Sequence, residues 1–73
     1  MNEALKRVLE TVGSQKRLGE LVGYSQASVY KWLYHIQKIP PEIVPSLVSL
    51  SDGEVKAHEL RPDLPQLFPP PEQ

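Results

Sequence analysis

Apolar residues recur along this chain at helical spacing, interrupted by glycines and by serines placed where helices would begin. Leu5, Val8, Leu9 and Val12 form one such stripe. Asn2 can cap it and Gly13 can end it, so a first helix is predicted over roughly Glu3 to Val12. A second pattern, Leu18, Leu21 and Val22, predicts a helix over Gln15 to Val22 with Ser14 as its cap. A third, Val29, Trp32 and Leu33, predicts a helix over Gln26 to Tyr34, reaching to about His35 or Ile36. Between them lies Gly23-Tyr24-Ser25. Glycine at the end of a helix enters the left-handed region without a Cβ penalty. Ser25 then offers its side-chain oxygen to the free N–H groups of the next helix. Helix, tight turn, helix is the arrangement this stretch dictates. Gly19 lies inside the second pattern, where glycine costs about 1 kcal/mol relative to alanine. Its presence predicts a close approach by the third helix, through the Val29 side chain.

Beyond the third pattern, Ile39-Pro40-Pro41 blocks continuation, because each proline biases the preceding residue to extended geometry. A fourth helix is predicted from Pro41 or Glu42 to Leu50 or Ser51, with Pro45 in its first turn, where the missing N–H has no intrahelical partner. Asp52-Gly53 stops it. Glu54 to Lys56 reads as extended chain, and Ala57 to Arg61 as one helical turn that tucks Leu60 against the core. From Pro62 onward lie five of the eight prolines and no periodic pattern, which predicts a poorly ordered tail. The expected fold is all-α, a small bundle of about five short helices, with residues 1–64 as the domain and 65–73 as a disordered, Pro-rich tail.

Length allows one small domain, at 73 residues. The absence of cysteine removes disulfides, zinc-thiolate sites and thiol catalysis, and fits a reducing compartment. His35 and His58 have no helical ligand spacing, so no metal and no cofactor is expected. No Ser-His-Asp pattern or Gly-rich phosphate loop appears, and so small a core leaves little room for a catalytic pocket. No catalytic residue is predicted. Nor does the chain carry an apolar run of the length a membrane span needs, so a cytoplasmic protein with no membrane association is expected.

Formal net charge is -1, but it is unevenly divided. Ser14 to Lys38 holds Lys16, Arg17, Lys31 and Lys38 against Glu20, an excess of about three positive charges of the kind that faces phosphates. Met1 to Gly13 balances Glu3 and Glu10 against Lys6 and Arg7, and the part after Lys38 is acidic, with Glu42, Asp52, Glu54, Glu59, Asp63 and Glu72 against Lys56 and Arg61. The basic part coincides with the helix-turn-helix.

Gln15 to Tyr34 resembles the helix-turn-helix of the phage Cro and CI repressors, with apolar anchors at Leu18, Val22, Val29 and Trp32 and the turn at Gly23. The wider string GSQKRLGELVGYSQASVYKWL, followed by IPPEIV and GEVKAHELRPDL, is similar to the YdaS group of Cro-like prophage regulators. The resemblance runs to Leu64. It implies a lambda-repressor-like fold and binding of double-stranded operator DNA as a homodimer or higher assembly. Members are commonly labelled antitoxins, so a toxin or another regulator is an alternative partner, and a protein-interaction module is the rival function. Gly19 stands where alanine is more usual in the family, and Ala27 where several repressors carry a hydroxyl or amide.

In the resembling repressors the counterpart of Gln26 often reads adenine through a bidentate amide contact. Gln26, Ala27, Tyr30 and Lys31 are therefore the expected base contacts, with Lys31 suited to a guanine edge or a phosphate. Ser14, Gln15 and Lys16 stand at a helix N-terminus, where free N–H groups favour a phosphate. Ser25, Ser28, Tyr34 and Lys38 join them as expected backbone contacts. Arg17 is suited to pair with Glu20 across one turn. Trp32 is expected in the core. The fourth helix and the residues after it carry more apolar side chains than one small core would absorb, which predicts an oligomer interface at Ile43, Val44, Leu47, Val48, Val55 and Leu60.

Overall fold

The structure is a computed structural model that describes residues 2–35 and 37–70. Among these residues the chain forms five α-helices and one 3-10 turn: α1 (Glu3–Val12), α2 (Gln15–Val22), α3 (Gln26–Tyr34), α4 (Val44–Leu50) and α5 (Ala57–Leu60), with the turn Pro41–Ile43 leading into α4. The expected run of the third pattern as far as Ile36 lies outside the described residues. Each of the first three helices begins on its predicted cap. Asn2 Oδ1 accepts from Leu5 N at 3.0 Å, Ser14 Oγ from Arg17 N at 3.1 Å and Ser25 Oγ from Ser28 N at 3.1 Å. Each bond satisfies one of the N–H groups that a helix start leaves unpaired. Gly23, at φ 82°, ends α2 in the left-handed region.

The core is one cluster. Leu5 and Val8 of α1, Leu18 of α2, and Val29, Trp32 and Leu33 of α3 meet Ile39, Ile43, Val44, Leu47, Val55 and Leu60. α1 lies at its centre and packs against all four other helices, while α2 and α3 pack most extensively against each other. The N-terminus is tied to the end of α3 by a bond from Asn2 N to Leu33 O at 3.0 Å.

Pro45 occupies the first turn of α4, as its lack of an N–H allows. Ser51 then stops the helix with a side chain that is 2% exposed. Its hydroxyl donates to Val48 O at 2.8 Å and accepts from Val55 N at 3.1 Å. This staple turns the chain so that Val55 and Leu60 fill the core from behind α4.

Two expectations need correction. Gly19 is approached by the turn and not by Val29: a Cβ there would lie 2.6 Å from Tyr24 O and 3.1 Å from Ser25 C and O. Leu21 is 48% exposed, because α2 faces the core with Leu18 and the bare backbone of Gly19. Within the segment expected to be a disordered tail from residue 65, the described residues include one turn. Leu67 N and Phe68 N both donate to Leu64 O, at 3.1 and 2.8 Å, and Phe68 packs against the core. Residues 71–73 of that tail lie outside the described residues.

Candidate nucleic-acid interface

α3 presents two faces. Its buried face is Val29, Trp32 and Leu33. Its exposed face carries Gln26, Ala27, Tyr30, Lys31 and Tyr34. All four expected base contacts line one shallow concavity, which Gln15 of α2 and His35 beyond the end of α3 complete. The tight turn brings this about, since it sets the N-terminus of α2 beside the outer face of α3. Gly19 permits the closeness of that turn, because any side chain there would collide with the Tyr24 carbonyl.

The aromatic side chains on this face form a row. Tyr30 and Tyr34 have ring centroids 5.0 Å apart, and Tyr30 and His35 5.5 Å apart. On the reverse side the Tyr24 ring meets Trp32 edge-on at 5.2 Å and shields it from solvent. Trp32 is 2% exposed and its Nε1 has no hydrogen-bond acceptor, which puts it in the core and not on the reading face.

The expected phosphate contacts divide. Ser14 and Lys16 are exposed and Gln15 half-buried at the start of α2. Ser25 Oγ is engaged with Ser28, accepting from its N–H and donating to its Oγ at 3.2 Å, so these two hydroxyls lock the turn to α3. Lys38 is drawn away from the concavity and reaches Asp63 Oδ2 at 3.2 Å. Lys16, Arg17 and Lys31 make no ion pair among the described residues, and the expected Arg17–Glu20 pair does not form.

The expected interface set lies elsewhere than at the surface. Ile43, Val44, Leu47, Val55 and Leu60 are buried in this protomer's own core, and Val48 packs partly buried against it. The core absorbs the apolar side chains that had looked like a surplus, because the Ser51 staple folds Val55 and Leu60 back over α4. These side chains are spent on this protomer's own core, Val48 only in part.

The HELRPD segment proves to be a clamp. Glu59 reaches back to accept from Lys56 N at 2.9 Å and receives Arg7 Nη2 at 3.2 Å. Arg61 grips Asp63 with two parallel bonds of 2.9 Å and donates a third, at 2.6 Å, to Ile39 O. The hydrogen bonds from Arg61, reinforced by Lys38, hold the Asp63 carboxyl far below the usual carboxylate range. The same pair raises the guanidinium of Arg61. The Lys56 N–H, with help from Arg7, lowers Glu59. Three of these bonds, Arg61 to Ile39 O, Lys38 to Asp63 and Arg7 to Glu59, span 22, 25 and 52 residues and fasten the C-terminal segment to α1 and to the α3–α4 connection.

Among the described residues no group of three or more His, Asp or Glu side chains is placed to hold a metal ion. No described helix is long and apolar enough to cross a membrane.

A helix, a three-residue turn and a second helix with an exposed polar and aromatic face have the arrangement of a helix-turn-helix. The chain belongs to the YdaS family. The family described as "Bacterial toxin YdaS" matches residues 5–68. A protein of Escherichia coli (strain K12) described as "Putative transcriptional regulator YdaS" is 35% identical over 63 residues. The matched region is 86% of this chain and 64% of that relative, so the chain spans somewhat under two thirds of the relative's length. No solved structure matches.

Proposed function

We propose that the protein is a sequence-specific transcriptional repressor of phage Cro type that lays the exposed face of α3 in the major groove of operator DNA. The observation that carries this reading is the concavity itself: Gln15, Gln26, Ala27, Tyr30 and Lys31 converge on one exposed surface. An amide, a methyl, a phenol and an ammonium together suit base edges, while Lys16 and the start of α2 suit the adjacent phosphates. Lys16, Arg17 and Lys31 are free for phosphate, since none is committed to a carboxylate among the described residues. The description of the Escherichia coli relative as a transcriptional regulator agrees with this reading.

One recognition helix covers only a few base pairs, and about three excess positive charges give too few phosphate contacts for tight binding alone. Two copies on a two-fold operator, with half-sites ~34 Å apart, make up the difference. Sedimentation with and without operator tests that step, and a strict monomer on DNA contradicts it.

Selection on random DNA tests the reading itself. An enriched two-fold sequence is expected, and a selection that enriches nothing removes the proposal. On the enriched site Gln26→Ala should cost about 1 to 3 kcal/mol and relax preference at one base pair. Lys16→Ala should weaken all sequences alike and make the salt dependence shallower by roughly one charge. Equal losses on specific and random DNA for both variants would show that Gln26 reads no base.

A further inference from the structure

His35 completes the α3 concavity, although nothing in the hydrophobic pattern singled it out. We propose that His35 is a DNA-contact residue that engages a backbone phosphate in its protonated form, so that DNA binding takes up a proton; this rests on the DNA-binding reading above. Its position is fixed by the bond from its backbone N–H to Lys31 O at 2.9 Å, which closes the last turn of α3. Its exposed ring continues the row of Tyr34 and Tyr30 at the 5.5 Å spacing from Tyr30. Base edges face the start and middle of a recognition helix, so its far end meets the sugar-phosphate backbone.

The surroundings leave the ring's charge uncommitted. Tyr30, Lys31 and Tyr34 stand on its own helix, and Gln15 is the neutral contribution of α2. Across the neighbouring cleft lie Glu3 and Arg7 of α1, Lys38, and the residues around α5. Of those, Arg7 is paired with Glu59, and Asp63 with Arg61 and Lys38. No carboxylate, Glu3 included, comes within 4.0 Å of the His35 ring among the described residues. A phosphate is therefore the anion that would gain from the imidazolium, which has two N–H donors where the neutral ring has one. The C-terminal end of the α3 dipole favours the same charge.

The test is binding of the full chain to the selected operator at pH 6 and pH 8, at constant salt. Only the imidazolium makes the charge-assisted contact, and its population grows as pH falls, so binding should be roughly several-fold tighter at pH 6 than at pH 8. His35→Gln should bind equally at both values, with the wild-type affinity of pH 8. His35→Arg should bind tightly at both, because its charge is permanent. His58→Gln should keep the wild-type profile. A pH-independent wild-type affinity, or a His35→Gln protein that retains the pH dependence, overturns the proposal while leaving the DNA-binding reading intact. A wild-type protein that binds no DNA at either pH overturns both.

Discussion

A methyl group on Gly19 would sit 2.6 Å from the Tyr24 carbonyl oxygen, well inside contact distance. The obstacle is backbone, in a turn held from both sides by the Gly23 cap and the Ser25–Ser28 hydrogen bonds, so it cannot swing aside as a flexible side chain would. Alanine would gain about 1 kcal/mol of helix propensity, but displacing the turn costs more than that gain. Gly19→Ala is therefore expected to destabilise the protein by about 1 to 3 kcal/mol net, read as a lower melting temperature in thermal denaturation. A variant as stable as the wild type would show that the turn has slack. The same turn also sets the distance between the start of α2 and the face of α3, so the variant's DNA affinity should fall too, even at temperatures where it is fully folded. The cost of the glycine was legible in the sequence, but its cause was not. Spacing says that something comes close; which atom does so depends on how the turn folds back.

At the scale of elements, the clamp around α5 links pieces that local patterns treat separately. Asp63 and Glu59 are held below the usual carboxylate range in the folded protein, chiefly by bonds from Arg61 and from the Lys56 N–H respectively. A lowered folded-state value means that the charged form stabilises the fold. That contribution is complete above the unfolded-state values near ~4 and is lost as pH falls through them toward the lowered folded values. Melting temperature should thus drop steeply below about pH 4. Asp63→Asn should lower the melting temperature at pH 7 and flatten the decline between pH 5 and pH 3. An unchanged acid limb in Asp63→Asn would show that this carboxylate is not what acid releases. Arg61→Lys should also destabilise at neutral pH, by roughly 1 to 3 kcal/mol, because an ammonium cannot make the fork to Asp63 and still reach Ile39 O. The starts of α1, α2 and α3 and the ends of α1 and α2 were legible because Asn2, Ser14, Ser25, Gly13 and Gly23 act within one turn of themselves. The clamp was not, since Arg7 and Glu59 are 52 residues apart and no spacing rule joins them. For the same reason the apolar residues of α4 looked unpartnered until Ser51 was seen to fold Val55 and Leu60 back over them. The residues expected to read bases lie together because they share one face of one helix, whereas His35 joins that concavity only through the way the chain leaves α3.

For the molecule as a whole, the described part of the C-terminal segment adds Phe68 to the core. After the clamp, Leu64 O accepts from both Leu67 N and Phe68 N, a tight turn that leaves Leu67 57% exposed and brings Phe68 onto the core. The proline-rich composition concealed this, because prolines that forbid a regular helix still permit turns, and one apolar anchor gives no period to detect. The matched family region ends at the same residue, Phe68. Residues 65–73 should accordingly contribute stability and make no contact of their own with DNA. Deleting them should cost about 1 to 2 kcal/mol, the share expected of one partly buried large apolar side chain. Phe68→Ala alone should reproduce that cost, since it removes the anchor and leaves the rest of the segment in place. Thermal denaturation of both variants decides the point: a deletion markedly more costly than Phe68→Ala would mean that another residue of the segment also holds the core. Operator affinity, measured well below the melting transition of each variant, should match the wild type in both, because the segment packs on the core apart from the α3 concavity. A variant that stays folded but loses operator binding would put the C-terminal segment in the DNA interface or in the contact between two copies.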